Sequence, residues 1–282
     1  MRFNHTPEHF RTTRVRLTGL AIALVLVLGS RSFSQENENS LICKRLQQRY
    51  DVEFLFAASR VSKCTWKLDY QFPEKRDQKK LNSFLKMFEH EFSKYPPEFV
   101  KKTRLKQVVF VKSMKLGTAK RWAIPDYFKE TLYYDFTIRS TAEYPRRMVH
   151  HEYYNMIEQQ INGNGYFKDP KWAKFNEKGF KYGRGGASNR KPSNSLFNHP
   201  QPGFVNSYAM SGLEEDKAEI WAVLFVTENW NTVKPWLDDD EILRKKVEYT
   251  ERFAKQVCRE MGEGYWEAIR KPKASSNGSP KS

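Results

Sequence analysis

Apolar residues recur at two spacings along this chain, and the change of spacing marks a change of element. Trp66, Leu68, Tyr70 and Phe72 alternate with other residues, and a period of two predicts a strand over 64–72 with one aromatic face buried. Leu81, Leu85, Phe88 and Phe92 recur every three or four residues. That is the stripe of an amphipathic helix over 81–95, which Pro96-Pro97 ends. The same reading predicts a short helix over 41–50 and strands over 51–57, 107–112 (QVVFVK) and 131–136 (TLYYDF). It predicts helices over 142–160, 214–228 and 240–261. The last buries Leu243, Val247, Ala254, Val257 and Met261, and Asp238-Asp239-Asp240 sits at the positive end of its dipole. Between the first two of these helices, residues 162–203 are rich in Gly, Asn, Ser and Pro, a loop long enough to be functional or mobile. No internal repeat is present, and the tail from Lys271 is of low complexity.

These elements predict an α+β fold, a small mixed or antiparallel sheet packed on the helix 142–160 and the helix that follows it. Arg2, Arg11, Arg14 and Arg16 precede an apolar stretch from Leu17 to Gly29, and Ser32-Phe33-Ser34 gives a small-x-small cleavage site. Residues 1–34 therefore read as a signal peptide of a secreted or periplasmic protein. An uncleaved N-terminal anchor is the alternative, though the apolar run is short for a membrane span. Residues 35–100 read as an N-terminal segment, 101–265 as the main domain and 266–282 as a disordered basic tail.

The 282-residue chain carries a formal charge of +16, and removing the five arginines and one glutamate of the leader leaves +12. Such a surface attracts anionic polymers or surfaces. No nucleic-acid motif accompanies the charge, so no specific nucleic-acid partner is expected, and a solvated basic surface is the ordinary reading. Of three cysteines, Cys43 and Cys64 are close enough in sequence to staple the N-terminal segment under oxidising conditions. Cys258 then reads as a small buried side chain on a helix.

Candidate chemistry concentrates in His150-His151-Glu152-Tyr153-Tyr154-Asn155. On a helix, His151 and Asn155 lie about 40° apart and roughly 6 Å along the axis, on one face, with Glu152 beside them. That is the placement in which His-Glu-x-x-His grips zinc and activates water. His150 points about 100° away. The dipeptide alone specifies little, because His90-Glu91 repeats it where nothing suggests chemistry. Glu215 and Glu219, again four apart, offer a third ligand and a brace for a ligand, against the ordinary reading of an acidic helix start. Tyr208 offers a hydroxyl to a developing oxyanion, against the ordinary reading of a core tyrosine. The strand 131–136 offers an edge to an extended peptide. Gly183-Arg184-Gly185-Gly186 lacks the strand–loop–helix setting of a phosphate loop and reads as flexible loop geometry.

The succession resembles the secreted zinc-binding metallopeptidases related to the catalytic domain of anthrax toxin lethal factor. Five elements carry the resemblance: the strand 108–111, the strand 131–136, the block His150–Asn155, the loop WAKFNEKGFKYGRGG from Trp172, and GFVNSYAMSGLEEDKAEIWA from Gly203. The resemblance implies a zincin-like fold in which His151 and Glu215 ligate zinc. It implies that Glu152 is the general base, that Tyr208 stabilises the oxyanion, and that Glu219 supports a ligand from behind. The second histidine ligand falls on Asn155. An amide oxygen is a weaker zinc ligand than imidazole, and one ligand is worth roughly 3–4 kcal/mol of binding. His199, in the long loop, is the alternative nitrogen donor, and its ordinary reading is a water-exposed loop residue.

The expectation is an exported zinc-dependent peptidase acting on peptide or protein substrates and weakened by Asn155. Two other classes remain: a non-catalytic relative that binds peptide without cutting it, and a basic polyanion-binding protein that keeps the scaffold.

Overall fold

Strand β3 (Gln107–Leu116) is the axis of the sheet in this computed structural model, which describes residues 37–137, 139–163, 168–186 and 195–271. Residues 1–34, read from the sequence as a signal peptide, and the tail beyond residue 271 lie outside the described residues. The first half of β3 has two parallel neighbours, β1 (Glu53–Leu55) and β6 (Thr131–Asp135). Beyond β6 runs β5 (Ala123–Asp126), antiparallel, giving the order β1-β3-β6-β5. The second half of β3 pairs antiparallel with β2 (Leu68–Gln71) and the two-residue β4 (Ala119–Lys120). The sheet is mixed and the fold α+β.

Both faces of β3 are buried, which is why its sequence reads as an unbroken apolar run. Val108 and Phe110 point into the main core, which also holds Phe88, Phe92, Leu132, Tyr134, Tyr153 and Trp221. Each buried phenylalanine there contributes roughly 1.5–3 kcal/mol relative to exposure. Val109, Val111, Ile124 and Tyr133 point the other way, under half-buried Trp66, Leu68, Tyr70 and Phe72. The period-two aromatic face thus does pack on the sheet, although the strand itself is only β2.

Helices α1 (Glu38–Tyr50) and α2 (Gln78–Phe92) lie on the main-core side. Asn37 caps α1 by accepting from the Asn39 amide, and Asp51 ends it in the left-handed region, at φ 56°. Pro97 does more than stop α2: it opens α3 (Pro97–Lys102), where a missing N–H costs nothing. Helix α4 (Glu143–Asn162) sits between sheet and α6 (Leu213–Phe225) and is buried along much of its length. The long loop contains α5 (Pro170–Ala173), capped by the Asp169 carboxylate. The helix expected over 214–228 breaks at Val226 into α6 and α7 (Thr227–Val233). Helix α8 (Glu241–Val257) starts on an Asp240 cap and ends where Cys258 turns extended. Helix α9 (Glu263–Arg270) crosses the expected tail boundary and buries Trp266.

The described residues form one unit, and the core of α1, β1 and α2 is continuous with that of α4, α6 and α8. The expected Cys43–Cys64 staple is not formed. Cys43 is buried inside the core, half-buried Cys64 packs on the outer face of the sheet, and all three cysteines are free thiols. Among the described residues, no helix is long and apolar enough to cross a membrane.

Candidate active site

Helix α4 points its adjacent histidines at different neighbours, as a 100° step per residue requires. His151 faces α6. Its Nε2 lies 3.0 Å from Glu215 Oε2 and its Nδ1 lies 2.9 Å from Glu219 Oε1. Glu215 and Glu219 stand one turn apart on α6, so a single imidazole spans both carboxylates. The two helices are locked in this register by Lys217, whose buried ammonium lies 2.8 Å from Glu158 of α4 and 2.9 Å from Asp169.

The electrostatics follow from that geometry. Burial pulls the His151 imidazolium down, but the hydrogen bonds and charges of Glu215 and Glu219 outweigh it and raise it to about 10. Burial also works against the Glu219 carboxylate. The charge of Arg147, the bond to His151 and the Asn206 amide reverse it, to about 2. Asn206 Nδ2 donates to Glu219 Oε2 at 2.6 Å, and its Oδ1 accepts from the Ala209 amide at 2.8 Å. Asn206 thereby ties Glu219 to the turn that carries Tyr208. The Tyr208 ring lies 6.0 Å from that of His151, and its hydroxyl lies beside the Glu215 carboxylate. Burial and the surrounding carboxylates keep that phenol protonated.

Glu152 and Asn155 form a second pair on α4. Glu152 keeps some solvent contact, yet the protein packed around it pushes its carboxyl up to about 7. The charges of Glu215 and Glu219 add to the rise, while His151 and a hydrogen bond with Asn155 oppose it. Asn155 is 8 % exposed, and its Oδ1 is buried without a partner. A donor amide directed at Glu152 accounts for both observations, because it leaves the carbonyl end unsatisfied.

Comparison with protein-family models and with curated proteins finds no match. Among solved structures, the chain matches a crystal structure from Bacteroides caccae described as "a putative zinc-binding metallo-peptidase". Identity is 18 %, the TM-score is 0.52, and the match covers 84 % of this chain and 92 % of that one. The chain shares the fold of that structure.

On this fold, the residues singled out in the sequence fall into one neighbourhood: His151, Glu215 and Glu219 in direct contact, Tyr208 beside Glu215, and Glu152 with Asn155 on the flank. Two expectations change. Strand β6 is not an edge, because β5 covers it; β5 is the edge. The outward carbonyl of Pro125 on β5 accepts from the Trp66 indole at 3.0 Å. His199 is neither a donor to the site nor a water-exposed loop residue. Its Nε2 lies 2.8 Å from Asp240 Oδ2 and its ring stacks on Trp236 at 4.8 Å. The repeat at His90-Glu91 has a structural place, since buried Glu91 holds His150 Nε2 at 2.9 Å, Lys94 at 2.6 Å and Arg146 at 2.7 Å.

Sequence reasoning missed Arg147 and Asn206. Arg147 lies four residues before His151, so helical spacing alone places it on the same face, 3.8 Å from Glu219. Asn206 sits two residues before Tyr208, and no spacing rule marks it.

Proposed function

We propose that the protein is an exported peptidase-type hydrolase that uses a divalent cation of the zinc class on peptide or protein substrates. The observation that carries this reading is the imidazole of His151 held between two carboxylates of a separate helix. The donor chemistry suits the cation in part. His151 Nε2 and Glu215 Oε2 face each other at 3.0 Å, close to the roughly 3.3 Å between two ligands on a tetrahedral zinc with bonds near 2.0–2.1 Å. The orphaned Asn155 Oδ1 is a third, weaker donor. Among the described residues, no group of three or more His, Cys, Asp or Glu side chains is placed to hold a metal ion. The arrangement fits a weakly held catalytic ion and not a closed structural site.

His151 Nε2 and Glu215 would hold the ion, which when bound polarises the peptide carbonyl and the attacking water. Glu219 fixes the His151 ring through Nδ1. Glu152, with its carboxyl near neutrality, takes the water's proton and returns it to the leaving amine. Tyr208 donates its hydroxyl to the oxyanion as the carbonyl becomes tetrahedral. Glu152→Gln is expected to abolish hydrolysis of an unstructured protein substrate while leaving zinc affinity within about twofold. Undiminished cleavage by that variant removes Glu152 from the proton-transfer role.

Asn155 supports a second reading, a relative that binds peptide without turnover. Wild-type protein that binds peptide yet shows no cleavage at saturating zinc selects it. A third, polyanion binding, rests on the basic charge alone, and a steep loss of binding with salt is its signature.

A further inference from the structure

The segment Gly183-Arg184-Gly185-Gly186 has a defined place in the structure. It is docked on the turn before α6 by two main-chain hydrogen bonds: the Gly183 amide donates to the Met210 carbonyl at 3.0 Å, and the Gly185 amide to the Ser211 carbonyl at 2.6 Å. This anchoring brings Gly186, itself buried, onto the candidate site. A Cβ added at Gly186 would overlap the Glu215 carboxylate and the Tyr208 hydroxyl, both inside 3.0 Å, where real Cβ atoms are essentially never found. The φ of Gly186 is not in the left-handed region, unlike that of Gly185 at 85°. Gly186 is therefore required by space, not by backbone conformation.

Two of the groups that line this space are chemical ones. Glu215 Oε2 faces His151 Nε2, and the Tyr208 hydroxyl lies beside the same carboxylate. A main chain packed this closely on a carboxylate limits its rotamers, and a carboxylate with few rotamers keeps its distance from the imidazole. The neighbouring glycines extend the same close packing to Glu214: a Cβ at Gly212 would overlap its carboxylate, and one at Gly185 would lie 3.2 Å from its Oε1.

We infer that the main chain at Gly186 is a positioning element of the site, a wall that holds the Glu215 carboxylate and the Tyr208 hydroxyl in their places beside His151. This rests on the site reading above. It is separable from that reading, because the steric relation between Gly186 and Glu215 exists with or without a cation. Gly186 acts through Glu215 and Tyr208 and touches no reacting atom.

The test uses the full chain in two arms. In the first, zinc alone is titrated calorimetrically into wild type, Gly186→Ala and Gly264→Ala. Gly264, on α9, has open space around it, and its variant should match the wild type. Gly186→Ala should weaken zinc binding by about 10- to 100-fold, the usual cost of disturbing a group that orients a ligand. Unchanged affinity in Gly186→Ala overturns the inference. In the second arm, urea unfolding midpoints are compared for Gly186→Ala introduced into wild type and into Glu215→Ala. The methyl should lower the midpoint in wild type and lower it much less where the carboxylate has been removed. An equal decrease in both backgrounds overturns the inference. If the wild type binds no zinc, the cation reading fails, and the second arm still decides the role of Gly186.

Discussion

Two buried histidines, His150 and His151, stand side by side on one helix and have opposite electrostatic fates. Both face carboxylates. His150 reaches Glu91, but Lys94 and Arg146 already neutralise that carboxylate. Its Nδ1 is occupied by the Tyr95 hydroxyl at 2.8 Å, and its ring lies flat on Phe225 at 4.6 Å. Burial therefore wins, and its imidazolium is pulled down to about 4, to a neutral ring at physiological pH. His151 faces two carboxylates and no cation nearer than Arg147, which lies 3.8 Å beyond Glu219. There the carboxylates win. The residue type and its burial are the same, so the difference lies in whether the surrounding anions are already paired. Around His150 the charges are closed among themselves. Around His151 a positive charge is required, and without a metal a proton supplies it.

The largest effect expected from this contrast concerns removal of each ring. His151→Ala leaves Glu215 and Glu219 buried without their countercharge. It should cost about 3–5 kcal/mol of stability and abolish zinc binding. His150→Ala leaves Glu91 paired with its two cations, and should cost about 1–3 kcal/mol with zinc binding retained. Urea unfolding and zinc titration of the two variants decide this, and equal losses of zinc affinity would erase the distinction.

The next effect is in pH. The folded-state pKa of His150 lies below the ordinary 6.5. The unfolded chain therefore binds the extra proton, and stability is lost as pH falls from about 6.5 toward 4. That of His151 lies above 6.5. Its contribution is fully present below 6.5 and is lost as pH rises toward 10. Without added cation, His151→Gln should flatten the alkaline limb of stability against pH, and His150→Gln the acid limb. One shared limb altered by both substitutions is the contrary result. Zinc must displace the His151 proton, so its apparent affinity should rise by about tenfold per pH unit below 10.

The smallest effect on the site is expected from Tyr95→Phe, which strips the hydroxyl shared by His150 and the Trp221 indole. Stability should drop by about 1–3 kcal/mol, with zinc affinity unchanged. A shift in zinc affinity would mean that the two histidines are coupled through α4.

Much of this arrangement was legible along the chain because it obeys helical and strand periodicity. The spacing of His151, Asn155, Glu215 and Glu219 put these side chains on facing turns, the apolar stripe located α2, and the apolar runs located β3 and β6. What escaped was set by three-dimensional neighbours. Strand β5 is four residues with a proline, too short to show alternation, and without it β6 read as an edge. Glu91 looked like a chance repeat because its partners come from 59 residues away and from the next helical turns. Gly186 read as loop flexibility because close packing against Glu215 leaves no mark on local sequence. Asn155 stood out by its absence from a motif, while its bond to Glu152 depends on a side-chain orientation that spacing does not give.

The central claim is that His151 and Glu215 form a seat for one divalent cation, with Asn155 at the place of a further ligand. Calorimetric titration of zinc into wild type and Asn155→His tests it most directly. A third strong donor should tighten binding by about a hundred- to a thousandfold. Equal affinity in the two proteins would contradict it.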